Sequence, residues 1–270
     1  MAEATIYYFT GAGNSLAVAR QLAARISASL VPAASTAAQA SVETHDEVIG
    51  FVFPIHDFKA PNIVDELVGR LASIDAKYLF AVCTYGLAPG HSLKRFEKTV
   101  EERGGHLSSG FAVAMPHSGV GSRFVSQASR SRLLEASVGK VEAIADCVER
   151  RVDGVVEQSR VLPAFFRPWV LRGVPVLARF AFRLMTKGEE SVALTAGSDC
   201  NGCGVCADLC PVGNISIATG RPTWGDRCVG CLACLHWCPQ HAVSLGGHDT
   251  GIEIYHHPDV TVFDMMSRTP

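Results

Sequence analysis

Two runs of Cys-x-x-Cys-x-x-Cys-x-x-x-Cys-Pro, 28 positions apart, constrain this chain more than any other feature. The first is Cys200, Cys203, Cys206 and Cys210 before Pro211; the second is Cys228, Cys231, Cys234 and Cys238 before Pro239. The flanks repeat as well. Cys-Asn-Gly-Cys-Gly-Val-Cys opens one half and Cys-Val-Gly-Cys-Leu-Ala-Cys the other, and each Pro leads to a short apolar segment, Ile215–Ile217 or Val243–Leu245. Such a duplication predicts two copies of one strand–loop–helix unit, related by a pseudo-twofold. Gly202, Gly204 and Gly230 allow tight turns that aim backbone N–H groups at a shared ligand.

A disulfide framework would expect a secreted chain. The N-terminus, Met1 to Thr5, has neither a basic segment nor an apolar core of the signal-peptide kind, so a reducing compartment, the cytoplasm, is expected. A zinc ribbon pairs Cys-x-x-Cys knuckles and would leave the third and fourth cysteines of each run without a purpose. The runs instead resemble those of bacterial ferredoxins carrying two 4Fe–4S clusters, which are held by soft thiolates. That resemblance implies a crossover, in which the fourth Cys of each run serves the other cluster. One set is then Cys200, Cys203, Cys206 and Cys238, and the other Cys228, Cys231, Cys234 and Cys210. Cys83 and Cys147 lie outside the runs and are read as small buried apolar residues.

A cluster module needs far fewer than the 270 residues present, so a second core is expected. The division reads as an α/β unit over 1–157, a basic and apolar strap over 158–190, a small α+β two-cluster domain over 191–250, and a tail over 251–270. Charge is uneven. Gln158 to Gly188 holds Arg160, Arg167, Arg172, Arg179, Arg183 and Lys187 with no acid, which leaves the rest at −8 against a net −2. The slight overall acidity argues against a general nucleic-acid binder. The strap also carries Phe165, Phe166, Trp169, Phe180 and Phe182. It reads as an interdomain brace, with docking to an acidic redox protein or a membrane surface as the functional alternative. No apolar stretch reaches the roughly 18 residues of a membrane-spanning helix.

In the N-terminal unit, Thr5 to Phe9 reads as a buried strand entering Thr10-Gly11-Ala12-Gly13-Asn14-Ser15. An amphipathic helix then places Leu16, Ala19, Leu22, Ala23, Ile26 and Leu30 on one face. Further strands are expected near 31–35, 47–53, 77–84 and 110–115, with helices around 61–72, 91–104 and 130–151. This alternation predicts a doubly wound parallel sheet of five strands. A loop of Gly and hydroxyl residues between strand and helix N-terminus is an anion cradle. Dinucleotide binding would want a third Gly where Leu16 stands, and an acid where Val31–Ser35 offers none. A phosphate-cradling Gly-Lys-Ser/Thr is absent. A mononucleotide, FMN, fits better. The next two strand ends agree: Pro54, Ile55, His56, Asp57 and Phe58 follow one, and Thr84, Tyr85, Gly86 and Gly90 the other, giving aromatic and Pro/Gly-rich loops suited to a planar ring.

Over nearly its whole length the chain resembles the flavodoxin–ferredoxin fusions known as EFR-type ferredoxins. The resemblance rests on Ile6 to Ser15, Thr84-Tyr85-Gly86, both cysteine runs, and Tyr255-His256-His257-Pro258. It implies noncovalent FMN and two 4Fe–4S clusters in one electron-transfer chain. Redox proteins such as ferredoxin, flavodoxin or a reductase would be the partners. Ala12 departs from the Thr usual in flavodoxin-like loops and removes one hydroxyl. The rival expectation is a reductase of an organic substrate, with loops 54–61, 84–91 and 115–123 as its pocket. His56, Asp57, Tyr85 or His117 would then supply protons. His256 and His257 read as an ordinary terminal segment ahead of a metal site.

Overall fold

The computed structural model describes residues 4–158, 194–246 and 252–266. Strands β1 (Ala4–Tyr8), β2 (Ala28–Pro32), β3 (Val48–Pro54), β4 (Tyr78–Tyr85), β5 (Leu107–Ala114) and β6 (Val155–Val156) form one sheet in the order β2-β1-β3-β4-β5-β6. Every pairing is parallel. The 2-1-3-4-5 order is that of the flavodoxin-like doubly wound fold. The central strands β3 and β4 are buried nearly end to end, as a sheet covered on both faces requires. Helices α1 (Asn14–Ile26) and α4 (Gln127–Glu149) cover one face, where Leu16, Leu22, Val141 and Ile144 pack. Helices α2 (Asn62–Arg70) and α3 (Ser92–Glu101) cover the other through Leu67, Leu93 and Phe96.

The sheet corrects the expectation of five strands. Val155–Val156 adds a sixth at the β5 edge, too short to carry a periodic signal of its own. The first helix is also shorter than its apolar spacing suggests. Ser27 adopts the left-handed conformation (φ 54°) and donates its N–H to Ala23 O, ending the helix. Leu30 therefore belongs to β2, whose strand finishes at Pro32 rather than running to Ser35.

The cysteine-rich part is built from two antiparallel ribbons. β7 (Leu194–Ala196) pairs with β10 (Val243–Leu245), and β8 (Ile215–Ala218) with β9 (Arg221–Trp224). Short helices α5 (Val205–Asp208) and α6 (Ala233–His236) follow the turns after the second cysteines and carry the third cysteines, Cys206 and Cys234. This unit shares a core with the sheet: Leu209, Ala233 and Trp237 pack into the α1/α4 side. The segment 252–266, ending in α7 (Val262–Met266), joins them there. Val260 and Met265 are buried, Asp264 bridges to Arg20 of α1, and Glu253 to Arg130 of α4. Among the described residues no helix is long and apolar enough to cross a membrane. The strap over 158–190 lies outside the described residues except for Gln158.

Candidate functional site

The cysteines of the two runs gather around two small cavities. One is lined by Cys200, Cys203 and Cys206 together with Cys238, the other by Cys228, Cys231 and Cys234 together with Cys210. Each set thus takes three residues from one run and the fourth from the other. Two equivalent backbone groups finish the arrangement, Asn214 N–H donating to Cys210 Sγ (3.1 Å) and Ala242 N–H to Cys238 Sγ (3.4 Å). Among the described residues no three Cys, His, Asp or Glu converge as ligands of a single ion would. Burial raises the Cys206 thiol and pushes Cys234 up to about 12. Thiols in such surroundings become thiolates by binding a cation.

A larger cleft, about 990 Å³, opens at the carboxyl ends of β1, β3, β4 and β5. Ligands of open α/β sheets bind at this end. Thr10, Gly11, Ala12, Asn14 and Ser15 line it from the first loop, Pro54, Ile55, His56 and Asp57 from the second, and Thr84, Tyr85 and Gly86 from the third. Helix α1 begins at Gly13 (φ 93°) with no side-chain cap and no acid in its first turn, so its leading N–H groups and positive dipole end are left for an anion. Ser15 Oγ and Thr84 Oγ1 are 2.8 Å apart and buried. Two hydroxyls sharing one bond spend one hydrogen and retain the other for a ligand oxygen.

Three expected residues lie off the cleft wall. A Cβ on Gly13 would point into Val260 and His257, so that glycine serves the packing of the C-terminal segment. Phe58 sits at the tip of a tight turn closed by His56 and Lys59, with Asp57 at φ 47° and itself at φ 59°. Its ring covers Gly90, where a Cβ would come within 2.7 Å of it, and both residues stay outside the lining. Backbone strain at non-glycine residues of this kind gathers at ligand-binding loops. Burial holds His56 down to about 4, with Asp57 pulling it upward and Lys59 adding to the depression.

Residues 115–120, including His117, complete the sheet side and fall within the 115–123 loop named above for the rival pocket. Sequence reasoning did not foresee the other wall, where Asp226 to Leu232 of the second cysteine loop close the cleft. The two parts meet at Gly11, where a Cβ would lie 2.0 Å from Cys231 O. Trp237 Nε1–H donates to Gly11 O (3.0 Å), His257 N–H to Ala12 O (2.8 Å), and the Tyr255 hydroxyl to Asn14 Oδ1 (2.8 Å). His236 also borders the cleft. Its Nδ1 accepts the Tyr255 N–H (3.3 Å), while its buried Nε2 has no hydrogen-bond partner. Burial lowers the ring to about 4, the Ser118 backbone offsetting part of this, so the imidazole is neutral with its proton on Nε2. His257, 3% exposed, is packed under the first loop rather than offered to a metal. Cys83 is buried as expected, its thiol pushed up to about 12, whereas Cys147 is half-buried.

No protein-family model matches the chain, and no curated protein matches it. Solved structures are similar to part of it. Megasphaera elsdenii flavodoxin is 19% identical over 50% of this chain and 98% of its own, with a TM-score of 0.34. An FMN-dependent NADH-azoreductase from Bacillus anthracis, in complex with FMN, is 10% identical over 55% of this chain and 99% of its own, with a TM-score of 0.38. Rubredoxin oxygen:oxidoreductase from Desulfovibrio gigas is 14% identical over 56% of this chain and 37% of its own, with a TM-score of 0.37.

Proposed function

We propose that this chain is an electron-transfer protein that holds FMN in the strand-end cleft and a 4Fe–4S cluster in each cysteine cavity. It would pass single electrons between these centres and partner proteins such as ferredoxins, flavodoxins or reductases. One observation carries the reading: a single cleft is lined both by the three loops of the sheet and by the Cys228–Leu232 loop. The residues present suit both groups. The uncapped α1 terminus and the Ser15–Thr84 pair would hold a phosphate, Tyr85 and the His56 loop would flank a planar ring, and eight thiols stand in two sets of four. When bound, a flavin supplies two-electron or one-electron exchange and each cluster one-electron exchange. The chain's own part is placement. Gly11, lacking a side chain, lets the Cys231 backbone approach the phosphate loop, and Trp237 fixes that loop by binding its carbonyl.

Anaerobically purified protein should contain about eight iron atoms per chain, with stoichiometric FMN. Stoichiometric zinc without visible charge-transfer absorbance would overturn the cluster half of the proposal. Cys210→Ala should damage the cluster held by Cys228, Cys231 and Cys234. Loss confined to the one built on Cys200, read by electron paramagnetic resonance, would refute the crossover.

A second reading, a reductase of an organic substrate, draws on His56, Tyr85 and His117 lining the same cleft. It requires saturable flavin reoxidation by an organic acceptor with a bell-shaped pH profile. The carrier reading requires slow flavin reduction by NADH or NADPH alone, since no dinucleotide fingerprint follows β1. Stopped-flow mixing separates the two.

A further inference from the structure

The two cysteine halves differ at one informative position. Gly204, just after Cys203, has φ 83° and open space around it; the matching residue of the second half is Leu232, with φ 56°. A left-handed backbone is natural for glycine and strained for leucine. Leu232 is also only partly buried, so it keeps apolar surface uncovered as well. Two unfavourable features at one residue invite a ligand that repays them. The position of the side chain identifies it: Leu232 borders both the large cleft and the cavity of Cys210, Cys228, Cys231 and Cys234. The first half has no counterpart. Its cysteine cavity shares no cysteine with the cleft wall, and the Cβ of a residue replacing Gly202 would meet Gly220 O of its own module, whereas that of one replacing Gly11 would meet Cys231 O.

We propose that Leu232 is a positioning residue, the apolar wall on which a bound flavin rests and which separates it from the adjoining thiol set. The set of Cys228, Cys231, Cys234 and Cys210 is then the flavin-side set. The set of Cys200, Cys203, Cys206 and Cys238, none of which lines the cleft, is the outer one. This rests on the FMN reading above.

Leu232→Gly keeps the left-handed backbone and removes only the wall. Its melting temperature should hold or rise, because glycine relieves the strain. Its FMN dissociation constant, from fluorescence titration of flavin-stripped protein, should rise about tenfold or more, the scale of one buried leucine. Leu232→Met should restore tight binding. The mirror change, Gly204→Leu, should lower the melting temperature and leave FMN affinity unchanged. Wild-type protein is assayed first for FMN and iron, and a chain that binds no FMN overturns the functional reading itself. If wild type binds FMN and Leu232→Gly binds it equally well, or if Gly204→Leu weakens it as much, the assignment of Leu232 is wrong.

Discussion

Ser15 and Thr84 come from loops 69 positions apart and meet in a space without solvent. Ser15→Ala removes one hydroxyl of the pair, and with it the hydrogen not used between them. A charge-assisted bond of that kind contributes about 1.5–3 kcal/mol, so FMN affinity should fall roughly ten- to a hundredfold. Equilibrium titration checks this, and unchanged affinity would move the phosphate elsewhere. Asp65 supplies a pH signature. Burial raises its carboxyl to about 6, with Lys59 opposing the shift. The folded chain therefore holds that proton more tightly than the unfolded chain, in which an aspartate titrates near about 3.9. The resulting stabilisation is complete below the unfolded value and is lost as pH rises through about 6. In urea melts between pH 4 and 7, Asp65→Asn should lack this declining component, and the gap between wild type and variant should vary with pH. Parallel curves would contradict the assignment.

Among the elements, α1 has the most to reconcile. Its N-terminus faces the cleft, one side packs on the sheet, and the segment 252–266 runs beside it. Tyr255 ties these together: its hydroxyl donates to Asn14 Oδ1, Asn14 Nδ2–H donates to Pro116 O (3.0 Å), and the Arg130 guanidinium lies over its ring. Tyr255→Phe leaves a buried amide oxygen without that donor, at a cost of about 1–3 kcal/mol. A lower urea midpoint with unchanged slope is expected, together with weaker FMN binding because Asn14 lines the cleft. The sequence disclosed the elements better than their ends. Strands β1, β3, β4 and β5 stood out as apolar runs because a sheet covered on both faces demands them. The break after Ile26 did not stand out, since Ser27, which takes the left-handed turn there, is neither Gly nor Asn. Leu30 kept the helical spacing by coincidence.

At the scale of the whole molecule, local groupings of residues were legible and long-range assembly was not. The cysteine spacing implied two sets of four, and the Gly-hydroxyl loop implied an anion site, because each signal lies within a few consecutive residues. The contribution of residues 226–232 to the strand-end cleft depends on how two modules pack, which no short motif encodes. Tyr255 to His257 were visible as a marked segment, yet their purpose under the first loop appears only in three dimensions. The same packing has a bearing on biosynthesis. Gly11 O is held by Trp237, 226 residues later in the chain, and Ala12 O by His257. While the polypeptide is still emerging from the ribosome, the phosphate loop lacks both of these supports, whatever the sheet behind it has achieved. On the reading proposed above, a flavin would find its loop fully supported only once residue 257 has been made, by which point all eight cysteines of the two runs have been made as well.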